Sequence, residues 1–307
     1  MPEIVVAIPT YRRPERLARL LRALAAIDWD RPLAVAVADN DPSAREGDAV
    51  CRKLVLSGYR WPLASVPAPE RGIAQARNAL ARFAMADGEM RFVAMLDDDE
   101  WPERNWLRAL METQNKTGCE VVRGSVRREF EMPPPQWARD WEGIAPIDHP
   151  SGFSGPVEGI GNVLIARRAF EAIPAPWFDP AFGLTGGEDK DFLLRLKGAG
   201  MRFARAPEAI VHEHVPAHRL ALSWSLARAY RTGNCDMRLA LKHQGVAAGA
   251  RESAKAVAAL AAFPFLSLAF GFHPRRRLDG VRKLARAMGK LGALFGHRYH
   301  EYASPRG

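Results

Sequence analysis

The chain has 307 residues, 48% of them hydrophobic and 26% charged, and a net charge of +9. That length allows one large domain plus an appendage, the apolar fraction is ample for a buried core, and no internal repeat or low-complexity tract interrupts it. Its three cysteines, Cys51, Cys119 and Cys235, are too few for a disulfide framework and lack the spacing of a zinc site.

The opening Met-Pro-Glu leads straight into an apolar run, Ile4 to Ile8, leaving no room for a signal peptide, so a cytoplasmic location is expected. The run reads as a strand that ends in Pro9-Thr10-Tyr11-Arg12-Arg13-Pro14. Leu17, Leu20, Leu21 and Leu24 then recur at helical spacing, and a second strand, Leu33 to Ala38, ends in Asp39-Asn40-Asp41. This is a βαβ start with polar groups at both strand ends. Another helix, Ile73 to Ala86, follows Glu70-Arg71-Gly72 and carries Gln75, Arg77 and Asn78 on its first turns. No P-loop and no GxGxxG follows the first strand, so a diphosphate would have to be held some other way, and a divalent ion is the obvious one.

The run Phe92 to Leu96 suits a strand of a parallel sheet, yet it ends in Asp97-Asp98-Asp99-Glu100. Carboxylates one residue apart can hold a hard cation such as Mg²⁺ or Mn²⁺, which also takes oxygens from a substrate diphosphate. The competing reading is a solvated acidic turn at the start of the helix near Glu103, where negative charge is favourable. Further on, Met132-Pro-Pro-Pro-Gln-Trp137, through Trp141 to His149-Pro150, reads as a long loop whose tryptophans could stack on a sugar or pin the loop to the core. Gly159-Ile-Gly-Asn162 leads into another apolar run, Val163 to Ala166, expected at the floor of an acceptor side. Gly186-Gly187-Glu188-Asp189-Lys190-Asp191 reads as a glycine turn opening a helix. Val211-His212-Glu213-His214-Val215-Pro216 sets two histidines at alternate positions of a strand, hence on one face.

Five of these segments, in this order and spacing over about the first 215 residues, resemble the family 2 glycosyltransferases. They are Ile8-Pro-Thr-Tyr-Arg-Arg, Val37-Ala-Asp-Asn-Asp, Arg71-Gly-Ile-Ala-Gln-Ala-Arg-Asn, Leu96-Asp-Asp-Asp-Glu and Gly186-Gly-Glu-Asp-Lys-Asp-Phe. Within that family the chain is similar to bacterial exopolysaccharide transferases of the succinoglycan type. The resemblance implies an α/β, GT-A fold: a mixed, mainly parallel nucleotide-sugar-binding sheet flanked by helices. It implies inverting transfer of a sugar from a nucleotide sugar, a UDP-sugar by resemblance. Pro9, Thr10, Tyr11 and Arg12 would line the nucleotide, Asp39 would accept from the uracil N3–H, and Arg71 and Arg77 would lie near base and ribose. Asp97 would face the ribose, Asp98 would lie beside it, and Asp99 would bind Mn²⁺ or Mg²⁺. Asp189 would be the catalytic base, with Glu188 in reserve. His214, or His212, would be a third metal ligand, and an imidazole there favours manganese. A structural, hydrogen-bonding histidine is the alternative.

The excess charge lies in the tail: residues 271–307 carry +7 and residues 221–270 carry +4, leaving −2 for the remainder. A domain boundary is therefore expected near residue 220, with a catalytic part over 1–220 and a basic helical extension over 221–307. The extension begins with a helix from Leu220 to His243, broken near Gly233-Asn234. The uncharged stretch Ala256 to Phe272, interrupted by Pro264, falls short of the roughly 20 residues that span a bilayer, so in-plane or re-entrant helices are expected. Leu278 to Phe295 then places Val281, Leu284, Met288, Leu291 and Phe295 on one face and Arg282, Arg286 and Lys290 opposite. Such a helix suits an anionic membrane surface, with a bundle covering the sheet as the alternative. A nucleic-acid partner is not expected, because the tail lacks interleaved aromatics or a known motif.

The expected function is thus metal-dependent transfer of one sugar to a lipid-linked or other saccharide acceptor at the cytoplasmic face of the inner membrane. The Gln-x-x-Arg-Trp motif and the long membrane helices of processive synthases are absent, which favours single addition over polymerisation. The alternatives are a nucleotidyltransferase acting on a sugar phosphate, which lacks its usual triphosphate loop here, and a non-catalytic membrane-bound scaffold, in which the acidic motifs would be expected to be lost.

Overall fold

The structure, a computed structural model, describes residues 2–135, 151–155, 159–269 and 274–301. In chain order the elements are β1 (Ile4–Thr10), α1 (Pro14–Ala25), β2 (Leu33–Asp39), α2 (Glu46–Leu56), β3 (Leu63–Pro67), α3 (Ile73–Met85), β4 (Phe92–Met95), β5 (Glu100–Pro102) and α4 (Trp106–Thr117). There follow β6 (Val121–Phe130), β7 (Gly152–Ser154), β8 (Val163–Ala166), α5 (Arg167–Glu171), α6 (Glu188–Gly198), β9 (Phe203–Val215), α7 (Leu222–Ala269) and α8 (Pro274–Leu294). The strands form one mixed sheet in the order β3-β2-β1-β4-β8-β6-β9-β5, with β7 paired to β9.

β1 is buried along its whole length because it is flanked by β2 and β4, both parallel to it, and covered on both faces. Its alternating side chains feed two cores. Ile4, Val6 and Ile8 join Leu17, Leu20, Leu21 and Leu24 of α1 and Trp106 of α4. Val5 and Ala7 join α3 and the aromatic set Phe170, Phe178 and Phe192 on the other face. A three-layer α/β/α arrangement follows directly from these apolar runs. The parallel strands end along one line: Thr10 pairs with Asp39, Asp39 with Pro67, and Ala7 with Met95, two residues before the acidic triplet. Open α/β sheets bind ligands beyond these carboxyl ends.

The extension departs from the sequence reading in three ways. The helix does not break at Gly233; the non-helical residue inside α7 is Gly245, at φ 77° and ψ −171°. Gly233 is instead a contact point, where a Cβ would lie 1.9 Å from the Arg286 carbonyl oxygen, and one on Gly289 would lie 1.9 Å from that of Tyr230. The helix also runs through Pro264 rather than stopping there. Finally, the basic side of α8 is not simply a free face. Arg286 reaches Asp236 at 2.5 Å and Lys290 reaches Glu252 at 2.5 Å, both across the α7–α8 seam. Among the described residues no helix is long and apolar enough to cross a membrane.

Candidate active site

Beyond the carboxyl ends of β1, β2 and β4 lies a cleft of about 350 Å³. Pro9, Thr10, Tyr11, Arg12, Arg71, Arg77, Asp97, Asp98 and Asp99 all line it, so the structure brings these sequence candidates together. Among the described residues seven arginines and five carboxylates form its wall. That balance suits an anionic ligand.

Each wall residue is held by a local cause. Arg12 sits in the left-handed region at φ 52°, which turns its guanidinium to Asp41 at 2.5 Å. The Ser43 hydroxyl and Arg12 hold the Asp41 carboxyl below the usual carboxylate range. The Tyr11 ring lies 5.2 Å from the Arg12 guanidinium and 4.8 Å from that of Arg71, leaving an aromatic surface at the cleft edge. Asp39 lies just behind. Its Oδ2 accepts from the backbone N–H groups of Gly47 (2.8 Å) and Asp48 (3.2 Å), its Oδ1 accepts from Asp41 N–H (3.1 Å), and Asn40 forms the cleft wall at this point. Asn40 donates to the carbonyls of Ala68 and Glu70 and accepts from Gly72 N–H at 2.6 Å, which fixes the loop that carries Arg71.

The acidic triplet is threaded through arginines. Arg77, buried, donates Nη2 to Asp97 at 2.7 Å and Nη1 to Glu188. Asp98 accepts from the Thr10 hydroxyl at 2.9 Å and from Arg13 at 3.0 Å. The Asp99 carboxylate makes, among the described residues, long contacts of 3.6 Å to Arg13 and 3.4 Å to Arg219. Arg219 in turn bonds Glu213 at 3.0 Å, so one guanidinium bridges Asp99 and Glu213. Burial pushes Asp98 up to about 6 against the opposing charge of Arg13, with Asp99 adding to the rise. Glu100 and Glu213 are raised for the same reason, burial first and then the neighbouring carboxylates Asp97 and Asp99. Gly161 permits this crowding, since a Cβ there would lie 2.8 Å from the Glu100 carboxylate.

As the side chains stand, no three His, Cys, Asp or Glu groups among the described residues converge on one point. The donor set nonetheless fits a hard divalent cation. It is all oxygen, and its loosest member is Asp99.

Of the two histidines, His212 takes the structural, hydrogen-bonding alternative rather than a place at the triplet. β9 alternates, and the cleft receives Glu213, while His212 lies on the other face. There it stacks on Trp101 at 5.5 Å and contacts Glu103 and Glu129 at 3.1 and 2.9 Å. His212 therefore stands in a structural cluster away from the triplet. His214 stays beside it through the backbone, its N–H donating to the Asp99 carbonyl at 3.1 Å.

Glu188 and Asp189 open α6 behind two left-handed glycines, Gly186 and Gly187. Glu188 is buried against Arg77, and burial pushes it up to about 7 despite that charge. Asp189 is half-buried, and a Cβ on Gly159 would lie 3.8 Å from its Oδ2, so the Gly159 turn faces it. The extension supports this corner. Cys235 Sγ lies 3.1 Å from the Gly186 carbonyl, and Arg238 donates to Thr185 Oγ1 at 2.7 Å. Trp137 and Trp141 lie outside the described residues.

Sequence reasoning missed Arg13, Glu213, Arg219 and the α7 residues Trp224, Arg228 and Arg231, all of which line the cleft. Trp224, Arg228 and Arg231 carry a signal that could have found them, because their spacing puts them on one helix face.

The profile of glycosyl transferase family 2 matches residues 5–173. The succinoglycan biosynthesis protein ExoM of Rhizobium meliloti is 35% identical over 280 residues, covering 85% of each chain. Two solved structures share the fold. The mannosyltransferase PcManGT of Pyrobaculum calidifontis, in complex with GDP-Man and Mn²⁺, aligns over 96% of this chain and 88% of its own, with a TM-score of 0.62 and 19% identity. S. aureus TarS 1-349 in complex with UDP aligns over 98% and 93%, with a TM-score of 0.53 and 14% identity. With the profile spanning more than half the chain and a relative of this identity matched nearly end to end, the protein belongs to glycosyl transferase family 2.

Proposed function

We propose that the protein is an inverting, metal-dependent transferase that moves one sugar from a nucleotide sugar, with a UDP-sugar as donor, to a lipid-linked saccharide acceptor. The observation that carries this reading is the joining of two carboxylate sets by one buried side chain. Arg77 ties Asp97, on the nucleotide side, to Glu188, next to Asp189 on the other side. The nucleotide lies along Thr10, Tyr11, Arg12 and Arg71, and Asp39 orients the loop against the base. Asp99, with Glu213 across Arg219, would hold Mn²⁺ or Mg²⁺, and the ion when bound neutralises charge on the departing diphosphate.

Asp189 takes the proton of the acceptor hydroxyl as that oxygen attacks the anomeric carbon from the side opposite the diphosphate, which inverts the centre. Glu188 is less suited to this task, because it is buried and committed to Arg77; it positions that guanidinium instead. Residues 221–307 form an extension that packs on the catalytic part and meets a membrane at the cytoplasmic face. Support comes from exposed Val257, Phe265 and Met288 on its helices, from exposed Phe295 just past α8, and from its surplus of basic residues. The likeness to a succinoglycan biosynthesis protein supports a place in exopolysaccharide assembly.

The test is a panel of nucleotide sugars with Mn²⁺ and a bacterial membrane lipid extract, followed by release of the nucleoside diphosphate. One UDP-sugar is expected to turn over. Asp189→Asn should abolish turnover while keeping UDP binding, and Asp99→Asn should remove the metal dependence of that binding. Failure of every UDP-sugar to bind, with another nucleotide sugar binding instead, would overturn the donor assignment.

A further inference from the structure

The mouth of the cleft is walled from outside the sheet. Trp224, Arg228 and Arg231 reach it from the first turns of α7, and Glu301 reaches it from the tail beyond α8. The Trp224 ring lies 5.2 Å from the Arg228 guanidinium and 5.9 Å from that of Arg219, so the ring holds both in place. Arg228 and Arg231 stand one turn apart, and such like-charged pairs cost stability unless an anion offsets them. Burial, and then repulsion from Arg231, lowers Arg228 to about 10. A helix that merely covered the sheet would have no reason to aim these charges inward.

Glu213 already supplies one opposing charge to Arg228, and the tail supplies another at this wall. After α8 ends at Leu294 the chain turns at Gly296, at φ 80°, and doubles back along α7. Asn234 donates to the His297 carbonyl at 2.7 Å, and the His297 ring meets the Tyr230 hydroxyl at 3.0 Å. These contacts bring the Glu301 carboxylate to 3.8 Å from Arg231. At that separation the pair is an ion pair without a close hydrogen bond, weak enough for a better anion to displace.

We propose that Arg219, Arg228 and Arg231 form a phosphate cradle supplied by the extension, and that Glu301 stands in for the phosphate until an organic diphosphate displaces it, making the tail a latch on the cleft. The proposal rests on the reading of this cleft as a nucleotide-sugar site. That reading offers two sources of the same chemistry, the donor's diphosphate and the diphosphate of a lipid carrier.

The experiment is calorimetric titration of the full chain at fixed Mn²⁺ with uridine, with UDP, and, after saturation with UDP, with farnesyl diphosphate as a soluble prenyl diphosphate. Wild type, Arg228→Gln/Arg231→Gln and Glu301→Gln are compared. The arginine variant should bind one diphosphate about tenfold or more weaker, since charge-assisted bonds are lost, while uridine binding stays unchanged and certifies the fold. Glu301→Gln should tighten the same ligand by about threefold, the worth of a loose ion pair that lacks a close hydrogen bond. Loss confined to UDP assigns the cradle to the donor, and loss confined to farnesyl diphosphate assigns it to the acceptor. If neither diphosphate responds to loss of the arginines, the cradle is wrong. If Glu301→Gln changes neither affinity, the latch is wrong. If wild type binds neither uridine nor UDP, the donor reading fails instead, and farnesyl diphosphate binding without UDP then decides the cradle alone.

Discussion

His243 of α7 holds Asp191 of α6, its Nε2 2.8 Å from Oδ1, and Lys242 reaches the same oxygen at 2.6 Å. Asp191 is fully buried two residues after the proposed base, so the extension contributes a charge network to the helix that carries the chemistry. Removing Asp191 takes this carboxylate from His243, while Lys242 keeps Asp179 at 2.6 Å. Asp191→Ala is therefore expected to lower unfolding free energy by about 2 kcal/mol or more. The figure stays toward the low end because Lys242 and His243 keep some contact with solvent. Urea denaturation checks it, and an unchanged midpoint would show that the network holds nothing together.

Glu188 gives a pH dependence with a defined sign. Its ordinary value of 4.5 is raised by burial to about 7 in the folded chain, so the native state holds the proton more tightly than the unfolded one. The favourable contribution is fully present below 4.5 and is lost as pH rises through about 7. Relative to Glu188→Gln, wild type should lose stability on the order of 2 kcal/mol between pH 5 and pH 8. Parallel stability curves for the two proteins would show that Arg77 compensates the buried charge completely.

The sheet was legible because its physics is local. Runs such as Ile4 to Ile8 and Phe92 to Leu96 have no other way to bury themselves, and strand ends must then collect the polar residues that follow. The cleft wall made by Thr10, Tyr11, Arg12 and Asp97 followed for the same reason. What stayed hidden depended on tertiary facing. The choice between His212 and Glu213 turns on which side of β9 meets the triplet, and alternation alone leaves both sides open. Arg286 and Lys290 looked like a free basic stripe because their partners, Asp236 and Glu252, lie some 40 to 50 residues away on α7. Arg228 and Arg231 were counted as tail charge, although the fold turns them into the cleft.

The seam between α7 and α8 depends on two glycines used for close approach rather than for a turn. A methyl at Gly233 or Gly289 would lie 1.9 Å from a carbonyl oxygen of the facing helix. Alanine would gain about 1 kcal/mol of helix propensity at each site, yet the helices would have to move apart and give up packing. Gly233→Ala and Gly289→Ala are each expected to be net destabilising by about 1 to 2 kcal/mol, read from thermal or urea unfolding. A stabilised variant would mean that the two helices do not pack this closely in solution.

Membrane attachment through the extension makes a claim about apolar side chains as well as charge. Phe265 is 74% exposed and Phe295 88% exposed, which costs nothing only if something other than water covers them. Burying a phenylalanine is worth roughly 2 kcal/mol, so Phe265→Asp should weaken partitioning onto vesicles by at least about tenfold. The surplus positive charge, in turn, should favour phosphatidylglycerol-containing vesicles over phosphatidylcholine alone, and salt should reduce that preference. Cosedimentation with the two vesicle types, with wild type, Phe265→Asp and Phe295→Asp, separates the contributions. If salt alone releases the protein and both substitutions leave it unaffected, the attraction is electrostatic and the aromatic side chains do not enter the interface. If wild type ignores both vesicle types, the helices are a protein-facing surface, and the acceptor must reach the cleft from solution.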